Sequence, residues 1–215
     1  YDQATVYYSA EDMLNACRKE PLFEPKFIFY KTDAWKLIDK KSRESFEYFI
    51  KSFRKNIEVF DTPSYFKDIN KYHQIIHETD LANNFSEYYK KNKKKLSNYM
   101  QKAIANGNKY SAKEYAEAID FIKRSYESYK EVFEDYHGVL SPSSPGVAPK
   151  GLKSTGTAEF NKFWSFMGTP CISLPLLQGE NNLPLGVQLI GDKYDDQRFL
   201  GTARWLEQKS KGFNE

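Results

Sequence analysis

Four places in this sequence combine residue types that can do chemistry. His73 and His77 stand four apart, with Glu78 and Asp80 following. On a helix that spacing puts both imidazoles on one face, the geometry of paired metal ligands. The order is His-Gln-Ile-Ile-His, without the glutamate that completes a zinc-protease motif. A solvated or hydrogen-bonded pair on a surface helix is the plainer reading. Lys90 to Lys95 holds five lysines in six residues. Such a run can touch phosphates, but it is more often a solvated face. Ser143 and Ser144 near Lys150 offer the parts of a nucleophile and its base. Pro142 and Pro145 flank the pair, and no Gly-Gly run supplies an oxyanion loop. The segment therefore reads as a turn-rich exit from a strand. Cys171 lies in an apolar stretch with no histidine near it in sequence. That predicts a buried structural thiol, not a nucleophile.

Composition narrows the classes further. The 215 residues are 40% hydrophobic and 28% charged, which is ordinary for a globular chain. Thirty-two Lys and Arg against 29 Asp and Glu leave a formal charge of only +3. Nucleic-acid binders usually show a strongly basic face, so this balance argues against nucleic acid. Two cysteines, Cys17 and Cys171, do not make a disulfide framework, and a reducing, cytoplasmic setting is the expectation. No apolar run approaches the roughly 20 residues that span a bilayer. The chain opens on Tyr1 and not Met, with neither a basic nor an apolar leader pattern, so it is expected to begin inside a longer protein.

The elements that must position these residues follow from spacing. Ser9 to Lys19 reads as a helix, with Ser9 and Asp12 as a capping box. Phe27 to Tyr30 and Ile57 to Phe60 read as strands, separated by a helix over 41–55 that carries Phe46, Phe49, Ile50 and Phe53. Strand–helix–strand order predicts an α/β layer. Residues 64–134 hold no good strand and predict about three helices. The clearest starts at a Ser111–Glu114 capping box and carries a stripe of Tyr115, Ala118, Ile119, Ile122, Tyr126, Tyr129 and Phe133. The end returns to α/β. Strands are expected at Gly138–Leu140, Cys171–Leu174 and Leu185–Ile190, the last two as a hairpin. Helices are expected over 157–167 and 195–208, the second with Phe199, Leu200, Ala203 and Leu206 on one face.

The last third carries four ordered motifs. They are Leu140-Ser-Pro-Ser-Ser-Pro-Gly-Val-Ala-Pro149; Ser154-Thr-Gly156 followed by Phe160, Asn161 and Trp164; Gly168-Thr-Pro170-Cys-Ile-Ser-Leu-Pro175; and Leu183-Pro-Leu-Gly-Val-Gln-Leu-Ile-Gly191. Together they resemble the C-terminal segment of amidase-signature enzymes, and Phe29 to Thr32 with Trp35 is similar to an upstream strand and turn of that family. The resemblance implies a mixed β-sheet flanked by helices, across 1–215 as a partial amidase domain with a helical sub-region at about 64–134. It implies hydrolysis of a carbon–nitrogen amide bond through an acyl-enzyme, with a Ser–Ser–Lys arrangement, a backbone oxyanion hole and no metal or organic cofactor. The Gly/Ser-rich segment is missing here, so the catalytic residues are expected upstream of Tyr1. What remains for this chain is part of a pocket for a small-molecule amide: Thr155, Gly156, Phe160, Asn161 and Trp164. Core packing under the sheet suits Phe160 and Trp164 equally well. The segment around Phe160 to Gly168 differs from its counterpart in the glutamyl-tRNA amidotransferases that share this fold, which favours a free-standing small-amide hydrolase. A non-catalytic remnant or a component of an amidotransferase-like complex is the alternative, and a homodimer is admitted.

Overall fold

In the computed structural model, residues 13–211 are described. The capping pair Ser9 and Asp12 lies outside them. The chain divides into two compact units, one of residues 1–62 and 130–215, the other of residues 63–129.

The first unit is built on five strands: β1 (Phe27–Lys31), β2 (Ile57–Asp61), β3 (Gly138–Pro142), β4 (Cys171–Gln178) and β5 (Pro184–Ile190). They lie in the order β2-β1-β3-β5-β4. β1 runs parallel to β2 and β3, whereas β5 is antiparallel to both β3 and β4. The sheet is therefore mixed, and helices flank it. α1 (Met13–Arg18), α2 (Lys40–Ser52), α7 (Val132–Asp135), α8 (Glu159–Met167) and α9 (Asp196–Lys209) belong to this unit.

One sheet face is dry. Phe27 and Phe29 of β1, Leu140 of β3, and Leu185, Val187 and Leu189 of β5 alternate onto it, as the two-residue period of a strand requires. Phe46 and Phe49 from α2 and Phe199, Ala203 and Leu206 from α9 pack in the same core cluster. α2 presents its phenylalanines because Asp39 caps it: the Asp39 carboxylate accepts from the Ser42 N–H at 2.8 Å. α9 buries Trp205 as well, a side chain the sequence pattern passed over, while Leu200 is only half-buried.

β4 is longer than its sequence suggests. Its expected stop at Pro175 is not observed, and the strand continues to Gln178. β4 is an edge strand, and its register with β5 shifts between Leu174 and Leu177. A proline without an N–H is tolerated at such a place. The hairpin turn between β4 and β5 contains Asn181 and Asn182, both at positive φ (56° and 58°), a conformation asparagine accepts more readily than most residues.

The second unit is helical. It contains α3 (Ile69–Asn84), α4 (Ser86–Asn92), α5 (Asn98–Gly107) and α6 (Ala112–Lys130, of which Lys130 falls in the first unit). α3 and α5 meet along a close seam. A β-carbon built on Gly107 would lie 1.9 Å from the Glu78 carbonyl oxygen. Beside that point the Glu78 carboxylate, itself buried, accepts from Tyr110 at 2.9 Å, Gln74 at 3.2 Å and Asn106 at 3.3 Å. Buried carboxylates persist where their oxygens are satisfied in this way.

α6 begins at the expected capping box. The Ser111 N–H donates to Glu114 at 2.8 Å, and the Glu114 N–H donates back to the Ser111 hydroxyl at 3.2 Å. The Ser111 N–H, and the Ser111 hydroxyl that donates to the same carboxylate at 2.8 Å, hold the Glu114 carboxyl below its usual range. Ser111→Ala should lower Tm by about 3 °C, read by circular dichroism, because a capping hydroxyl is lost. The buried face of α6 differs from the expected stripe. It runs through Ala118, Phe121, Ser125 and Tyr129, with Tyr115, Ile119, Ile122 and Tyr126 half-buried at its flank. Counting apolar residues alone overlooks Ser125, which is fully buried on that face.

Candidate functional site

The parallel strands β1 and β3 end at one side of the sheet, and the chain leaves β3 through Ser143 to Pro149. This exit is fixed by its neighbours. The Asp39 N–H donates to the Pro145 carbonyl at 2.9 Å. The Ser144 hydroxyl donates to the Gly146 carbonyl at 2.6 Å. The Ser143 hydroxyl donates to the Gly186 carbonyl at 3.1 Å, and the Ser143 N–H reaches the same oxygen at 3.2 Å. Both hydroxyls are spent on backbone carbonyls and neither bonds Lys150. The geometry is that of a turn, as proline spacing suggested.

The other sheet face carries a polar network beneath this exit. Ser141 of β3 stands opposite Gln188 of β5, and both are buried. The Trp164 indole N–H from α8 donates to the Ser141 hydroxyl at 3.1 Å. That hydroxyl lies 3.3 Å from the Pro142 carbonyl and 3.4 Å from Gln188 Oε1, either of which can accept its single proton. Tyr30 of β1 lies 6.4 Å from the Trp164 ring, and its burial pushes the phenol up. One turn before Trp164, Asn161 donates its side-chain amide to the Ser143 carbonyl at 3.4 Å. α8 stops at Gly168, whose φ of +66° supplies the left-handed cap.

The five residues expected to line a pocket divide into three groups. Asn161 and Trp164 are brought together at the β3 exit. Asn161 is half-buried, and Trp164 is 1% exposed with its ring in the interior. Phe160 is buried and belongs to the core cluster. Thr155 and Gly156 lie on the exposed segment before α8, with Gly156 at φ +88°. Ser141 and Gln188 were missed. Their signal was a polar residue at an inward position of an otherwise apolar strand. Gly186 sits at a close approach: a β-carbon there would lie 2.3 Å from the Ser143 hydroxyl and 2.4 Å from that of Ser173.

The other chemical candidates have surroundings of their own. The His73 and His77 rings stack 5.8 Å apart, and the Tyr99 hydroxyl lies 3.4 Å from His77. Among the described residues no group of three or more potential ligands could hold a metal. The lysine run, which starts in α4 and continues into the 3-10 turn Lys93–Lys95, is exposed. Lys91 pairs with Glu87 at 3.5 Å and Lys93 lies over the Tyr89 ring. Both cysteines are free. Cys171 is exposed and not buried as expected, because β4 is an edge strand with one face uncovered. Protein mass around the sulfur still desolvates it and pushes the thiol up to about 11. Its alkylation by iodoacetamide, followed by mass spectrometry, should therefore keep rising up to that pH, since the thiolate is the nucleophile. A plateau near pH 8.5 would contradict this.

Among the described residues no helix is long and apolar enough to cross a membrane. The amidase family model matches residues 5–200, and the chain belongs to that family. It is 36% identical over 109 residues to the A-type component of glutamyl-tRNA(Gln) amidotransferase from Alkaliphilus metalliredigens, across 47% of this chain and 22% of that protein. It is 37% identical over 86 residues to the protein of the same name from Wolinella succinogenes, across 37% of this chain and 19% of that one. Among solved structures, an amidase superposes with a TM-score of 0.73 at 17% identity, covering 89% of this chain and 47% of that one. The 6-aminohexanoate cyclic dimer hydrolase gives 0.73 at 13% identity, covering 98% and 50%. The chain thus spans about half the length of these solved relatives and about a fifth of those curated ones.

Proposed function

We propose that this chain supplies one wall of the amide-binding pocket of an amidase, whose nucleophile and base lie outside it. The convergence of Asn161, the Ser143 carbonyl and the Trp164–Ser141–Gln188 network at the β3 exit carries this reading. Loops over strand ends are where folds of this kind gather binding groups, and a rigid network beneath holds them in place. The chemistry would be acyl transfer from a carbon–nitrogen amide to a serine, with a second serine and a lysine moving the proton, and then to water. None of those three groups is assigned to a residue of this chain. Thr155 and Gly156 would form the outer rim of the pocket and Phe160 its supporting core.

The substrate on this reading is a small amide hydrolysed by a free-standing enzyme. Ammonia release from a panel of primary amides tests it. An amidase-length polypeptide containing this chain should turn over, and the 215-residue chain alone should not. Turnover by the 215-residue chain would overturn the assignment of catalysis to residues outside it. A second reading draws on the names of the curated relatives: a component of an amidotransferase complex acting on charged tRNA. That reading predicts tRNA binding that weakens steeply with salt, and salt-independent or absent binding would count against it.

A further inference from the structure

The chain leaves β1 through a turn that gathers two cations on one indole. β1 ends at Lys31, and the turn Asp33–Leu37 carries Trp35. The Lys31 Nζ lies 5.4 Å from the Trp35 ring centroid, and the Arg43 Cζ, from the first turn of α2, lies 5.6 Å from it. The two charges are therefore no more than about 11 Å apart, and all three side chains are half-buried. Phe29 and Phe46 meet the indole edge-on at 5.5 and 6.2 Å, so the core fixes its place. Arg43 also donates to the Trp35 carbonyl at 3.3 Å, which ties α2 to the turn.

Neither cation is neutralised. Among the described residues neither forms an ion pair. Asp61 stands beside Lys31 in the register of β1 and β2 without pairing with it. Asp39 spends its two carboxylate oxygens on the Ser42 N–H and hydroxyl, both at 2.8 Å. A cation in the first turn of a helix also opposes the helix dipole. Half-buried charges kept without a counter-charge are costly, and an anion that binds beside them removes the cost. The cluster lies at the end of the sheet where the amide is placed above. Its turn packs beside α8, which carries Asn161. Just after the turn, the Asp39 N–H donates to Pro145 in the β3 exit at 2.9 Å.

We propose that Lys31 and Arg43, held on the Trp35 ring, bind a carboxylate at the far end of the substrate, so that the preferred substrates are small amides that also carry an acid. The proposal rests on the pocket-wall reading above. Arg43 offers paired donors that match a carboxylate, and Lys31 adds a mobile point charge. The flat indole suits the methylenes that join the acid to the amide.

The test compares glutaramate with pentanamide, which share a carbon chain and differ in the terminal carboxylate. In an amidase-length polypeptide containing this chain, kcat/KM should favour glutaramate by about 10-fold or more, chiefly through KM. Lys31→Met and Arg43→Gln should each cut that preference by about 10-fold, and Lys31→Arg should keep most of it. Lys36→Met, which removes an exposed charge of the same turn, should leave the preference as it was. A parent that treats the two amides alike, or prefers pentanamide, would overturn the proposal. So would a Lys31→Met variant that slows both amides equally, since damage to the fold spares the preference. Equal losses of preference for Lys36→Met and Lys31→Met would mean a diffuse field and not a site, which also overturns it. If neither amide is hydrolysed, the proposed function fails and calorimetric binding of glutarate to the same polypeptide decides. Binding that Lys31→Met weakens by about 10-fold would sustain the carboxylate site. Absent binding, or binding indifferent to Lys31→Met, would overturn it.

Discussion

Gly107→Ala should destabilise the helical unit by about 3 kcal/mol, although the same change in an ordinary helix stabilises by about 1 kcal/mol. The sign is what makes the result informative. Gly107 closes α5, where alanine has the better intrinsic propensity. Against that, the added β-carbon would sit 1.9 Å from the Glu78 carbonyl oxygen, 2.5 Å from its carbon and 2.9 Å from the Ala82 β-carbon. Two of these are backbone atoms of α3, so no rotamer change relieves the clash. The helices must separate, and separation stretches the bonds from Tyr110 and Asn106 to the buried Glu78 carboxylate. Urea denaturation followed by far-UV circular dichroism should show a lower midpoint. A midpoint at or above that of the parent would mean that α3 and α5 do not approach this closely.

Trp164→Ala should cost the sheet unit about 4 kcal/mol, the cost of emptying a large buried aromatic site. Trp164 is 1% exposed, and its ring meets Phe163 at 4.7 Å and Tyr30 at 6.4 Å. The change also takes a donor from Ser141, whose hydroxyl is buried beside Gln188. Trp164→Phe separates the two effects. It keeps most of the packing and loses only the 3.1 Å indole bond, so it should cost about 1 kcal/mol. Trp35 and Trp205 remain as fluorescent reporters, because the chain has three tryptophans. Equal losses for both substitutions would place the energy in the hydrogen bond and not in the ring.

Much of the sheet is legible in the sequence. Strands bounded by prolines and glycines, the β4–β5 hairpin and the capping box of α6 all follow from local chemistry. What escapes depends on neighbours. Pro175 marks a strand end in an interior strand but not in an edge strand, and sequence does not say which β4 is. The exposure of Cys171 has the same origin: an apolar strand predicts burial only if something lies against both its faces. The Ser141–Gln188–Trp164 network joins residues 23 and 47 positions apart, so no local window contains it. The motifs of the last third locate the right segment. They do not distinguish Asn161, at the β3 exit, from Phe160 in the core beside it.

The most direct test of the account is the steady-state kinetics of Asn161→Ala in an amidase-length polypeptide containing this chain. Asn161 is half-buried and makes one long bond, 3.4 Å, to the Ser143 carbonyl, so its removal should shift Tm by less than about 2 °C. If this chain forms the pocket wall, kcat/KM for a small primary amide should fall by about 10-fold or more through a raised KM. An unchanged kcat/KM in a variant that is folded and as stable as its parent would contradict the placement of the substrate at the end of β3.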